Sequence, residues 1–233
     1  MPLSHIENWI FDLDNTLYRA DGNFFSQIDV KITEFVSQHL ELDPTTARHL
    51  QKEYLAEYGT TLSGLMAEHD MDPADFLHFV HDVDLSALTP DALLRDHIQS
   101  LPGRKFIFTN GSRGHAENVS AHLGLAGLFD GSFAIEDADY VPKPRRAPFV
   151  KFCDRFDINP QNAIFFEDNL RNLEVPKTMG MTTVLITSQA DFSHEPEEAR
   201  PASAQDTAPW VDHSTDNLTA WLGEYHPVTR AKS

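Results

Sequence analysis

Two aspartates, Asp12 and Asp14, close the apolar run Trp9-Ile10-Phe11 and lead into Asn15-Thr16-Leu17. Carboxylates at i and i+2 leave a strand on the same side. Unpaired charge is poorly tolerated at the edge of a core, so acids placed there point to a metal ion or to a reaction that uses them. One acid can be held ionised as a nucleophile while its neighbour trades protons. An Asp-rich turn without chemistry would look the same in isolation, because aspartate is common where strands turn. Three later segments weigh against that bland reading. Thr109-Asn110-Gly111-Ser112 follows Phe106-Ile107-Phe108, Lys143 stands in Val141-Pro142-Lys143-Pro144, and Glu167-Asp168-Asn169 closes Ala163-Ile164-Phe165-Phe166.

These residue types fit phosphoryl transfer. A divalent ion needs hard oxygen ligands, and Asp12, Asp14 and Asp168 can supply them. A phosphate needs backbone N–H groups and a hydroxyl, which a turn of Thr109, Asn110 and Gly111 opening a helix can offer. Lys143 can neutralise charge on the nucleophile and the phosphate. Its flanking prolines stiffen the backbone and favour an extended conformation.

Such groups act together only if the strands that carry them lie side by side. Residues 9 to 13, 105 to 109, 163 to 167 and 182 to 186 read as short buried parallel strands, and 131 to 135 as a weaker one. Helical stretches separate them. One opens at Thr89-Pro90-Asp91, carries Leu93, Leu94, Ile98 and Leu101, and ends at Gly103. Others run over 114 to 123, 146 to 156 and 170 to 179, the last expected to kink or break at Pro176. This alternation predicts a doubly wound, Rossmann-like α/β parallel sheet. The carboxyl ends of its strands should open onto one crevice and bring the polar groups together.

An all-helical block separates the first two strands. Phe24, Phe25, Ile28, Ile32, Phe35, Val36 and Leu40 recur at spacings of three and four. Asp43-Pro44 reads as an N-cap and first helical residue, and Gly59 as the matching stop. Thr60 to His69 reads as a short helix, and Asp72-Pro73 opens another with Phe76, Leu77 and Val80. The chain therefore divides into an α/β core over 1–20 and 87–233 and an inserted cap over 21–86. Residues 188 to 209, rich in Glu, Pro, Ala and Ser, are expected to form a mobile loop. Residues 210 to 213 are expected to add an edge strand, Leu218 and Trp221 a last helical turn, and the final residues a frayed end.

A chain of 233 residues with 41% hydrophobic content can bury a core of this size. Its 18 basic and 36 acidic residues give a net charge of -18. Such a surface repels nucleic-acid backbones and anionic membranes and welcomes divalent cations. A small phosphorylated metabolite remains admissible, because a local site can be positive inside a negative field. The single cysteine, Cys153, excludes an intramolecular disulfide and fits a buried thiol in a reducing compartment. The first seven residues lack the basic and apolar regions of a leader, and no run approaches the roughly 20 apolar residues that span a bilayer. The expectation is a soluble cytoplasmic protein.

The ordered motifs resemble the haloacid dehalogenase-like superfamily of phosphohydrolases over residues 9 to 187. Within it, the chain looks most like the pyrimidine 5′-nucleotidase branch. The segments that carry this closer likeness are Phe11 to Tyr18, Tyr58-Gly59-Thr60-Thr61-Leu62-Ser63-Gly64-Leu65-Met66, Leu101 to Lys105, and Thr109 to Ala116. By that resemblance Asp12 is the nucleophile and forms an aspartyl-phosphate. Asp14 protonates the leaving alkoxide and then activates water. Mg²⁺ is held by Asp12, the main-chain carbonyl of Asp14, and Asp168. Thr109 and the Asn110 amide bind the phosphate, and Lys143 stabilises charge. The acidic pair here is Glu167-Asp168 where many relatives carry two aspartates, so Glu167 either ligates directly or acts through water.

The resemblance implies a Mg²⁺-dependent phosphomonoesterase acting on pyrimidine nucleoside 5′-monophosphates such as UMP and CMP. Within the fold the rivals are a broad-range sugar-phosphate or phosphoglycolate phosphatase, or a phosphomutase. A catalytically silent nucleotide-binding protein is a rival from another class, although silent relatives should lose the nucleophile or the lysine. Tyr58, Thr60, Thr61 and His69 lie where the cap should overhang the site and are candidates to select base and ribose. Tyr58 and Leu65 serve equally well as cap core, and Met66 as packing. His78 and His81 stand three apart without a third ligand and read as an exposed helix face rather than zinc ligands. His115 either touches substrate or lies on a helix surface.

Overall fold

The strands of the sheet are apolar on both faces, and that decides where the acids end up. In the computed structural model, which describes residues 3–19, 24–192 and 200–225, β1 (Asn8–Phe11) is wholly buried and lies at the centre. It is flanked by β2 (Arg104–Phe108) and β4 (Ala163–Glu167), with β3 (Gly131–Phe133) beyond β2 and β5 (Thr182–Ser188) beyond β4. Short strands β6 (Ala202–Ser203) and β7 (His213–Thr215) both pair with β5. Every pairing is parallel. Phe11 stands opposite both Ile107 and Phe166. Asp12 therefore stands level with Phe108 and Glu167, and Thr109 and Asp168 follow one residue beyond.

Alternation along each strand sends side chains to two separate cores. Trp9, Phe11, Ile107 and Phe166 join Ile98, Val119 and Trp221 on one face. Ile10, Phe106, Phe108 and Phe165 join Phe133, Phe149 and Phe152 on the other. Phe11 stacks on Phe166 with centroids 4.7 Å apart. Each such buried aromatic contributes roughly 1.5–3 kcal/mol relative to exposure.

Helices α1 (Phe24–His39), α2 (Pro44–Tyr58), α3 (Thr61–His69) and α4 (Pro73–Val80) follow one another between β1 and β2. Their starts are capped as the sequence implies. Asp43 accepts from Thr45 N and Thr46 N, Thr60 accepts from Ser63 N, and Asp72 accepts from Ala74 N. They bury a third core of Phe35, Val36, Tyr54, Leu65, Phe76 and Val80, which Ile135 joins from the loop after β3. Around the sheet lie α5 (Ala92–Ser100), α6 (Arg113–His122), α7 (Arg146–Phe156), α8 (Glu174–Met179) and α9 (Leu218–Tyr225). Among the described residues no helix is long and apolar enough to cross a membrane.

Four local expectations change. The helix expected over 170 to 179 is a 3₁₀ segment, Leu170–Leu173, followed by α8. Pro176 is the third residue of α8, where its missing N–H has no intrahelical partner to lose, so the helix runs on to Gly180 without a break there. Residues 188 to 209 are not all loop, because β6 pairs with the end of β5; residues 193–199 lie outside the described residues, as does the chain end expected to fray. The final helical turn is the eight-residue α9. The last edge strand falls at His213–Thr215 rather than 210 to 213.

Candidate active site

Asp12 follows β1 directly, and its backbone N–H donates to Phe166 O at 2.9 Å, which extends the ladder one residue past the strand. Its carboxylate Oδ1 accepts from Lys143 Nζ at 2.7 Å. The same ammonium donates to Glu167 Oε2 at 2.7 Å and to Phe108 O at 3.0 Å. All three of its protons are thereby used. Lys143 is 2% exposed, so its ion pairs are sheltered from solvent screening. Asp168 completes the cluster: one carboxylate oxygen each of Asp12, Glu167 and Asp168 lie within 4.8 Å of one another, all buried.

One ammonium cannot neutralise three carboxylates. Burial, aided by the Glu167 charge, pushes the Asp12 carboxyl up to about 8 against the pull of Lys143. Burial and Glu167 likewise hold Asp168 well above the ordinary carboxylate range. Burial works against the charge on Lys143, but Asp12 and Glu167 outweigh it and hold the ammonium above its usual value. The fully ionised cluster carries two uncompensated negative charges, which is the charge of one divalent cation. Clustered hard oxygens of this number fit Mg²⁺ or a similar ion. Asp12, Asp168 and Glu167 are the side chains that would hold it.

The turn after β2 lies beside this cluster. Thr109 Oγ1 accepts from Gly111 N at 2.8 Å, which bends the chain into α6. Asn110 plays a part that the sequence did not suggest. Its Oδ1 accepts from Lys143 N at 2.8 Å and its Nδ2 donates to Lys143 O at 3.2 Å. The side chain thus clamps the backbone of the lysine, whose peptide bond to Pro144 is cis.

Asp14 points elsewhere and keeps different company. Its Oδ1 accepts from the Tyr18 hydroxyl at 2.7 Å and lies 2.8 Å from His115 Nε2. Burial raises the Asp14 carboxyl, but His115 and Tyr18 together outweigh it and hold the group below its ordinary value. Two acids two residues apart therefore sit in opposite environments, one pushed up and one pulled down. His115 is 2% exposed and not on a helix surface, because α6 starts directly behind the turn. His81 is not on an exposed face either. Its ring stacks on His115 with centroids 4.4 Å apart, and its Nδ1 lies 2.9 Å from Ser112 Oγ. His78 is exposed, and among the described residues neither histidine belongs to a metal-type cluster.

Asp12, Asp14, Thr109, Asn110, Gly111, Lys143, Glu167 and Asp168 all line one cleft of about 480 Å³. Its opposite wall comes from the helical insertion and is largely apolar, with Phe25, Ile28, Ile32, Leu55, Phe76 and Val80. Thr60 and Thr61 reach the cleft, although Thr61 donates its hydroxyl proton to Gln51 O. Tyr58 and His69 do not line it. The Tyr58 hydroxyl donates to Glu68, and His69 Nε2 lies 2.8 Å from the Tyr54 hydroxyl on an exposed edge. Tyr18 and His81 are neighbours of the site that motif reading passes over. An aromatic hydroxyl four residues after Asp14 was the available signal for Tyr18; nothing local signals His81.

A central parallel sheet with paired acids after its first strand and a lysine-bridged acidic cluster defines a hydrolase site on a doubly wound frame. Residues 6–180 match the model of the haloacid dehalogenase-like hydrolases, and the chain belongs to that family. It is 29% identical over 207 residues to Phosphate metabolism protein 8 of Saccharomyces cerevisiae, covering 81% of this chain and 64% of that protein. The chain thus spans less than two thirds of the length of this relative. A HAD phosphatase from Thermococcus onnurineus shares the fold with a TM-score of 0.62 at 16% identity, over 94% of this chain and 97% of that one. An L-2-haloacid dehalogenase from Xanthobacter autotrophicus, with chloropropionic acid covalently bound, does so at 0.56 and 14%, over 93% and 97%. Fold alone does not choose between these two chemistries.

Proposed function

We propose that this hydrolase is a Mg²⁺-dependent phosphomonoesterase that works through an aspartyl-phosphate on Asp12, with pyrimidine nucleoside 5′-monophosphates as substrates. The observation that carries the reading is the buried Asp12, Glu167 and Asp168 cluster, which Lys143 leaves two charges short of neutrality. A dehalogenase has no use for that excess, since displacement of a halide by an aspartate needs no cation. The name of the yeast relative, which refers to phosphate metabolism, points the same way.

In this reading Asp12 attacks phosphorus and Lys143 holds it in place. Thr109 and the backbone amide of Asn110 take the phosphate oxygens, while Gly111 N–H holds the Thr109 hydroxyl. Asp14 rests as a carboxylate, ready to activate the water that hydrolyses the intermediate. An entering phosphate dianion raises its proton affinity, which suits it to protonate the leaving alkoxide first. A bound Mg²⁺ would supply charge neutralisation for the phosphoryl group.

The division of the cleft supports a nucleotide. Its core wall is charged and its insertion wall apolar, which matches an ester with an anionic end and a flat, weakly polar end. A sugar phosphate would press hydroxyls against apolar side chains and lose their hydration. Asp29, Gln51 and Lys52 on the same wall are the feature that would favour a polyhydroxy leaving group instead. Phosphate release with Mg²⁺ from UMP, CMP, phosphoglycolate and a set of sugar phosphates tests the proposal. Turnover of UMP and CMP well above the others is expected. Sugar phosphates without pyrimidine nucleotides would overturn the substrate class, rearranged ester with little free phosphate would mean a mutase, and no turnover of any ester would leave a binding protein.

A further inference from the structure

Asp14 is gripped by one oxygen only. Tyr18 and His115 both address Oδ1, at 2.7 and 2.8 Å. The other oxygen, Oδ2, faces the turn after β2: a Cβ added to Gly111 would stand 3.5 Å from it and 3.2 Å from Thr109 Oγ1. The free oxygen is thus aimed at the space that a phosphate ester would enter. The two gripping side chains are themselves held. Phe24 meets the Tyr18 ring edge-on at 5.3 Å and lies nearly parallel to the His115 ring, with centroids 6.2 Å apart. His81 stacks on His115 at 4.4 Å, and its Nδ1 lies 2.9 Å from Ser112 Oγ, the atom that accepts from His115 N at 3.2 Å. Tyr18 lies in the turns after β1, Phe24 opens α1, and His81 caps the end of α4.

We propose that His115, with Tyr18 and backed by the stacked ring of His81, is a positioning residue that fixes the Asp14 carboxylate so that Oδ2 alone exchanges the proton with the leaving group. This inference rests on the phosphomonoesterase reading. Its physical basis is that a carboxylate can rotate, and proton transfer requires the reacting oxygen within hydrogen-bond reach of the departing atom. Two donors on one oxygen remove that rotation. Packing of the His115 ring against His81 and Phe24 restrains it beside Asp14. Neither His115 nor His81 needs to touch substrate.

Two aryl esters of similar shape separate this role from a merely structural one. Phenolate is a basic leaving group and needs the proton; p-nitrophenolate is weakly basic and largely does not. The constant kcat/KM reports steps only up to departure of the leaving group, so later hydrolysis does not enter. His115→Phe keeps the ring stack and removes the hydrogen bond. It is expected to lower kcat/KM for phenyl phosphate about tenfold more than for p-nitrophenyl phosphate, within the range of general acid catalysis. His115→Gln, which restores an N–H donor of similar reach, should recover part of that selective loss. Tyr18→Phe deletes the second donor and should show a smaller loss of the same selectivity. It also carries the test if His115→Phe does not fold. Equal losses on both esters, or none, would overturn the proposal. If the parent protein with Mg²⁺ cleaves neither these esters nor UMP and CMP, the phosphatase reading itself fails and this inference goes with it. If it cleaves only the nucleotides, whose alkoxide leaving group needs the proton, His115→Phe must lower kcat/KM for UMP by about tenfold or more, and a smaller loss overturns the inference.

Discussion

Lys143 spends all three protons inside the protein, on two carboxylates and one carbonyl. It therefore orients Asp12 and Glu167 before any substrate arrives. At about pH 9, above the value of about 8 to which the Asp12 carboxyl is raised, replacing it with methionine would leave buried carboxylate charge without its partner, and breaking a buried pair in this way typically costs about 3–5 kcal/mol. Lys143→Met is thus expected to lower the urea midpoint of the cation-free protein by that equivalent. An unchanged midpoint would mean that the acids were already neutral or hydrated. Asp12→Asn retains an oxygen for Lys143 and should fold, yet it removes the proposed nucleophile. Steady-state phosphate release should drop by a factor of about 10⁴ or more, as when covalent nucleophiles are deleted elsewhere. A loss of only a few fold would remove Asp12 from that role.

Between elements, the helical insertion is held by close approaches as well as by apolar area. Gly64 of α3 packs against Tyr54 of α2 so tightly that a Cβ would fall 2.4 Å from the ring and 2.6 Å from Tyr54 Cβ. Alanine is ordinarily better than glycine in a helix by up to about 1 kcal/mol. Here overpacking, which typically costs about 1–3 kcal/mol, should win. Gly64→Ala is expected to reduce the thermal midpoint. Because Tyr54 also pairs with His69, the change should loosen the α2–α3 contact first, seen as faster amide exchange there than in β1 and β4. A more stable variant would mean that the two helices can separate at no cost.

For the molecule as a whole, the acidic site and the net charge of -18 act in the same direction. Folding raises the Asp12 carboxyl from 3.8 to about 8. Between those values the folded state binds a proton that the unfolded state has lost. Cation-free stability should therefore fall as pH rises through that window. In the proposed reading Mg²⁺ would bind the ionised carboxylates, so its stabilising effect should grow with pH. The rise in thermal midpoint on adding Mg²⁺ is expected to be larger at pH 8 than at pH 5, and EDTA should reverse it and silence turnover. An equal rise at both values would place the cation elsewhere.

Local pattern carried much of this protein. Short apolar runs that end in Asp12, Thr109 and Glu167 marked both the strands and the polar residues at their carboxyl ends, because one backbone step takes a side chain from core to crevice. The caps at Asp43, Thr60 and Asp72 were equally legible, since a cap is a contact over two or three residues. Tertiary packing decided the rest. His115 meets Asp14 across 101 positions and His81 meets Ser112 across 31, separations on which helical or strand periodicity is silent. Tyr58 and His69 turned to Glu68 and Tyr54 instead of the cleft, contacts made where α2 and α3 pack closely at Gly64 and Tyr54. Sequence alone established which groups could do chemistry and on which strands they ride; only the packed structure determined which neighbours grip each acid and which oxygen of Asp14 they leave free.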